Sequence, residues 1–163
     1  MTIRDFRDIL VSNWRVINDI SLEEIDSGRK PTDTEIKTQI NRTIFYIEEF
    51  YKMVDYYENQ ATIIKYEDFY NDHNYLYDVL EKYLEINISI ELRKNLSEKY
   101  SMKANKERAD KFDSFRKWDE SGIHGNHVHK GKVGVWRELI EKHHHTIVNN
   151  ALKRHLERWG YEV

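Results

Sequence analysis

Between Thr32 and Tyr57 the chain carries an unbroken helical signal, and a helix of that length folds stably only if other elements cover its apolar face. Thr32 followed three residues later by Glu35 is a capping-box signature, which predicts the helix start. Ile36, Ile40, Ile44, Ile47, Phe50, Val54 and Tyr57 then recur at three- and four-residue spacing. Two further helices are indicated near the ends of the chain. Ile9, Leu10, Val16 and Ile17, with Trp14 between them, predict a helix near the N-terminus. Ile147, Val148, Ala151, Leu152, Leu156 and Trp159 predict an inward face on a closing helix from about 138 to 159, with Gly160 at its C-terminal cap. A further helix is expected over 75–84, through Leu76, Val79, Leu80 and Tyr83. The charged stretch 90–112 predicts helix with breaks, whereas 22–33 and 113–136 predict loop.

Strand signals are scarce. Ala61–Tyr66 is a short, largely apolar, β-branched run, read as a buried strand of the parallel type, and Thr2–Arg4 can end a second. One or two strands do not make a stable parallel sheet alone. The expected fold class is therefore an α/β remnant, predominantly helical, with one or two short parallel strands, in one partial domain over 1–163.

Charge and composition exclude several functions. With 29 acidic against 26 basic residues the net charge is −3, against a general nucleic-acid binder. The absence of cysteine excludes disulfides and thiolate metal sites and fits a reducing compartment, so a cytoplasmic location is expected. No run approaches the ~18 apolar residues of a membrane span, and MTIRDFRDIL is charged by its fourth residue, unlike a signal peptide.

Against this acidic background, four of the six glycines fall between Gly122 and Gly134. From Ser121 to Arg137 there is no acidic residue, but there are Lys130, Lys132, Arg137, His124, His127 and His129. Glycine lets backbone N–H groups approach a ligand and cations attract an anion, so the segment is either a phosphate- or sulfate-binding loop or a surface loop whose Trp136 packs on the core. Arg4 and Ser12 form a second element. At the carboxyl end of a strand, Arg4 can hold a phosphate through two parallel hydrogen bonds and Ser12 can add a third. The other reading pairs Arg4 with Asp5 or Asp8. His143, His144 and His145 are consecutive, about 100° apart on a helix, and are expected to diverge. No metal site is expected there; the alternatives are a zinc site among His124, His127 and His129, or His124 or His127 as a catalytic base. Glu67 and Asp68 are adjacent and are expected to serve structure.

Together the elements resemble the cytosolic-type sulfotransferase family, which uses 3′-phosphoadenylyl sulfate (PAPS). RDFRDILVSNW, from Arg4 to Trp14, is similar to the family's R-(D/N)-P-(R/K)-D-x-x-V-S-(Y/W), with Phe6 at the proline position. HKGKVGVWR, from His129 to Arg137, is similar to R-K-G-x-x-G-x-W-K, with His129 replacing arginine. KYEDF, from Lys65, resembles the strand-end Y-E-D-L, and Trp159-Gly160-Tyr161 resembles the family's closing l-G-Y. The resemblance implies that Arg4, Ser12, His129, Lys130 and Gly131 hold the 3′-phosphate of PAPS or of its product PAP, and that Tyr66 approaches the adenine.

It also implies a parallel-sheet P-loop-like domain of which this chain is the C-terminal part. The P-loop-like P-K-(S/T)-G-(T/S)-(T/S) segment and the catalytic histidine belong upstream of Arg4 in that family, so no catalytic residue is expected here. The expected partners are PAPS or PAP, a hydroxyl or amine acceptor, and an N-terminal segment or second chain. The alternatives are a PAP- or PAPS-binding protein without turnover and a helical interaction protein.

Overall fold

The computed structural model describes residues 1–57, 60–128 and 131–163. The chain is predominantly helical with two short parallel strands. β1 (Thr2–Ile3) runs into α1 (Phe6–Ile17), whose N-terminus is closed by Asp5 accepting the Arg7 N–H at 2.9 Å. α1 buries Phe6, Leu10, Val11 and Trp14. Val16 and Ile17, expected inward, are exposed because they fall off that stripe.

The predicted loop at 22–33 contains a short helix, α2 (Leu22–Asp26). Ser21 and Glu24 form a reciprocal capping box, and Ile25 plugs into the core, which suffices to order one turn. The long helix, α3 (Asp33–Tyr56), starts where the Thr32–Glu35 signature places it, with both capping hydrogen bonds formed. Ile36, Ile40 and Ile47 are buried, but Tyr57 is exposed beyond the helix end.

Of the strand expected over 61–66, only β2 (Ile64–Lys65) forms; it pairs parallel to β1 in the register Thr2↔Ile64 and Ile3↔Lys65. The neighbouring backbone of β1 is only two residues long, which limits the ladder. Four helices follow: α4 (Tyr66–Phe69), α5 (His73–Leu84), α6 (Ile90–Lys99) and α7 (Met102–Ala109). Across 113–128 and 131–135 the chain is largely irregular, with an isolated antiparallel bridge between Trp118 and His124.

The closing helix is split. α8 (Trp136–Leu139) ends at Ile140, whose backbone is extended, and α9 (Lys142–Arg158) begins two residues on. Ile140 is buried, so the break turns an apolar side chain into the core. α9 buries Val148, Leu152 and Leu156, whereas Ile147 is exposed on its outer side. Gly160, at φ 68°, ends α9: its N–H donates to the Glu157 carbonyl, and the Tyr161 N–H reaches back to the Leu156 carbonyl at 2.9 Å.

The core lies where α1, α3 and α9 pack on one another, with Trp14, Leu152 and Leu156 fully buried. A buried ion pair joins α1 to α8 and α9. Arg7 Nη2 meets Asp5 Oδ2 at 2.7 Å, Arg7 Nη1 donates to Asn149 Oδ1 of α9 at 3.1 Å, and the guanidinium carbon lies 4.4 Å over the Trp136 ring. Among the described residues, no helix is long and apolar enough to cross a membrane.

Candidate anion site

The carboxyl end of β1 and the first three turns of α1 position the site. Arg4 leaves the strand just before the Asp5 cap, and Asp8, Ser12 and Arg15 follow at spacings of four, four and three, so they share one side of α1. A cavity of about 280 Å³ is lined by Arg4, Ser12, Arg15, Tyr66, His127 and Gly131, among others. Four expected site residues, Arg4, Ser12, Tyr66 and Gly131, thus meet in one hollow. His129 and Lys130, the other two, lie outside the described residues.

Arg4 is oriented on three sides. Its Nη2 donates to Asp8 Oδ2 at 3.2 Å and to the Lys132 carbonyl at 3.1 Å, and its guanidinium carbon lies 4.7 Å over the Tyr66 ring. The two readings of Arg4 are therefore compatible: it pairs with Asp8 and still lines the cavity. Its Nε is buried without a partner.

Arg15 is buried and donates through Nη2 to the Asn126 carbonyl at 2.7 Å, and among the described residues its Nε too has no partner. Burial lowers its pKa to about 10, with no carboxylate offsetting the effect, so the group stays cationic near neutrality. Among the described residues, neither guanidinium Nε has an acceptor, and both side chains line the same cavity.

Asp8 organises the glycine-rich segment. Its Oδ2 accepts the Gly134 N–H at 2.8 Å and its Oδ1 the Trp136 N–H at 3.0 Å. Those two backbone donors, on the face of it candidates for an external anion, are satisfied from within. Gly131 and Gly134 have φ of 57° and 77°, the left-handed region that glycine enters without strain.

Beyond Tyr66 the cavity adjoins a second hollow of about 380 Å³, lined by Tyr66, Phe69, Tyr70, Tyr77, Tyr100 and Met102. Tyr66, Met102 and Asn105 border both. Tyr66 stacks on Tyr70 at 5.8 Å and meets Phe69 edge-on, and burial raises its phenol pKa against the opposing effect of Arg4. The pair of hollows offers cations at one end and π-faces at the other. By contrast, a larger open hollow at the α5–α6 turn contains Arg93, but Asp78 and Glu81 both pair with it at 2.7 Å.

Arg15 and His127 were not singled out by the phosphate motifs; the four–four–three spacing running from Arg4 to Arg15 was the available signal. Glu67 is structural: it accepts the Asp5 N–H at 2.9 Å and the Tyr161 hydroxyl at 2.8 Å, joining α1 to the C-terminus.

The histidines separate. The Nδ1 of His124 lies 2.6 Å from the Phe115 carbonyl, and His127 lines the cavity. His145 turns to the Ile140 carbonyl and the Trp136 ring. The expectation that His143 and His144 diverge is corrected: their rings are 3.9 Å apart, and with Asp33 their ligand atoms lie within 4.8 Å. This trio sits at the N-termini of α3 and α9, where the helix dipoles disfavour a cation, and the 2.9 Å contact between Asp33 and His144 accounts for it as a pin between helices. No family model, no curated protein and no solved structure matches the chain.

Proposed function

We propose that the chain binds a phosphate-bearing nucleotide of the PAPS and PAP type, as the C-terminal part of a cytoplasmic sulfotransferase-like domain. Arg4, Arg15 and Ser12 take the phosphate, and Tyr66 with its aromatic neighbours takes the base. The observation that carries this reading is the pair of unpartnered buried Nε–H groups of Arg4 and Arg15 beside one cavity, with the aromatic hollow across Tyr66. Charge-assisted hydrogen bonds to a phosphate would satisfy both donors.

These residues hold and align a cofactor. Sulfuryl transfer to a hydroxyl or amine acceptor needs in addition a loop for the 5′-phosphosulfate and a base for the acceptor's proton. The motif that supplies the former in the sulfotransferase family is not among these 163 residues.

Calorimetric titration with PAP tests the site, with ATP, which lacks the 3′-phosphate, as control. The expected result is weak PAP binding, reduced about tenfold or more in Arg4→Ala and in Arg15→Ala, a loss of roughly 1.4 kcal/mol each. No PAP binding at millimolar ligand, or equal binding by both variants, overturns the assignment.

A further inference from the structure

His127 shares the cavity with the two arginines, and its surroundings are cationic. Arg4 and Arg15 come from the strand end and α1, Lys132 from the glycine-rich segment, and the His124 ring lies 6.2 Å away. Asp8 is the one carboxylate among the described lining residues, and Arg4 and the N–H groups of Gly134 and Trp136 already engage it. Tyr66 is the remaining titratable lining group, and burial raises its pKa, which keeps it neutral. The wall from α7 contributes Met102 and Asn105, which carry no charge.

We propose that His127 completes the anion site by taking up a proton: its imidazole is neutral in the free protein and becomes imidazolium when a phosphate dianion enters beside Arg4 and Arg15. The proposal rests on the phosphate site described above and assigns that site a proton-linked ligand. His127 is exposed on its outer side and lines the cavity with the other; loss of solvent on the cavity side, then His124, Arg15 and Arg4, hold the free imidazole below its usual value. An incoming dianion reverses the local field, offsetting the arginines and attracting a third positive charge. The bound-state pKa of His127 then exceeds the free-state value. By linkage, affinity is highest below the free value and is lost as pH rises through the bound one. Protonation of the phosphate itself, near 6, opposes binding at lower pH. The effect of His127 is therefore read above that point.

The experiment is PAP titration at pH 7 in buffers of different ionisation enthalpy, for the wild-type chain and His127→Gln, which counts protons taken up per ligand. Repeating it at higher pH gives the affinity slope. In parallel, the His127 ring ¹³C resonance of the wild-type chain is titrated against pH with and without PAP, so the outcome does not depend on the variant folding. The wild type is expected to take up about half a proton more than His127→Gln, to lose affinity about twofold more over the next pH unit, and to show an upward shift of the His127 titration on PAP binding. Equal proton uptake in both chains, or a His127 titration unmoved by PAP, overturns the role of His127 and leaves the phosphate site standing. Absence of PAP binding at every pH removes the site and this proposal with it.

Discussion

Asp8 accepts the backbone N–H of Trp136 at 3.0 Å across 128 positions of sequence. Its second oxygen takes the Gly134 N–H and Arg4 Nη2. One carboxylate, 1% exposed, thus holds the glycine-rich segment against α1 and aims the arginine at the cavity. Asp8→Ala would strand two backbone donors and remove the partner of Arg4. We expect a stability loss of about 2–3 kcal/mol, measured by urea unfolding. Asp8→Asn keeps one acceptor oxygen and should lose less. Wild-type stability in Asp8→Ala would show that the contact does not organise the loop.

Gly131 tests how closely the cavity walls are matched. A Cβ at this position would overlap the end of the Met102 side chain, and its φ of 57° is strained for any side chain. Met102 is flexible and can move, so Gly131→Ala should fold with a loss of about 1 kcal/mol and weaken PAP binding several-fold. Adding Met102→Ala should recover affinity by relieving the clash but not the stability lost to backbone strain. A Gly131→Ala chain with unchanged affinity would place Gly131 outside the binding geometry.

His155 predicts acid sensitivity. The ring is buried; its Nδ1 lies 3.1 Å from the Tyr51 hydroxyl, and its Nε2 accepts the Arg154 Nε–H at 3.0 Å. That arrangement requires neutral imidazole, and burial, then Arg154, lowers the pKa. His127 is shifted in the same direction. A histidine shifted down contributes stability that is fully present above its unfolded value, about 6.5, and is lost as pH falls through the folded one. Urea midpoints should therefore be level just above neutrality and fall below pH 6.5, with a shallower fall in His155→Gln. A midpoint that rises on acidification to pH 5.5 would contradict the neutral assignment.

Helix starts were the most legible feature. Thr32 and Glu35 mark the beginning of α3, and Gly160 marks the end of α9, because a cap is a contact within three or four residues. The same logic was present at Ser21 and Glu24, where the proline and glycine downstream concealed a one-turn helix. Faces were less legible: Ile17 and Tyr57 continue an apolar period at or beyond a helix end, Ile147 lies on the outer side of α9, and all three are exposed. The site was half legible. Arg4, Ser12, Tyr66 and Gly131 were expected together and share a cavity, while Arg15 and His127 were not assigned to it.

The amino-acid sequence by itself determined the helices, the scarcity of strands and the presence of a basic glycine-rich segment, since propensity, capping and periodicity act over a few residues. Tertiary structure alone decided which of those charges remain available. Asp8 quiets two backbone donors of the glycine-rich segment from more than a hundred residues away, whereas Arg15, buried with no carboxylate to offset it, keeps an unpaired donor at the cavity. Whether a cation can receive an anion depends on its burial and on the partners it already has, and both are set by contacts between segments distant in the chain.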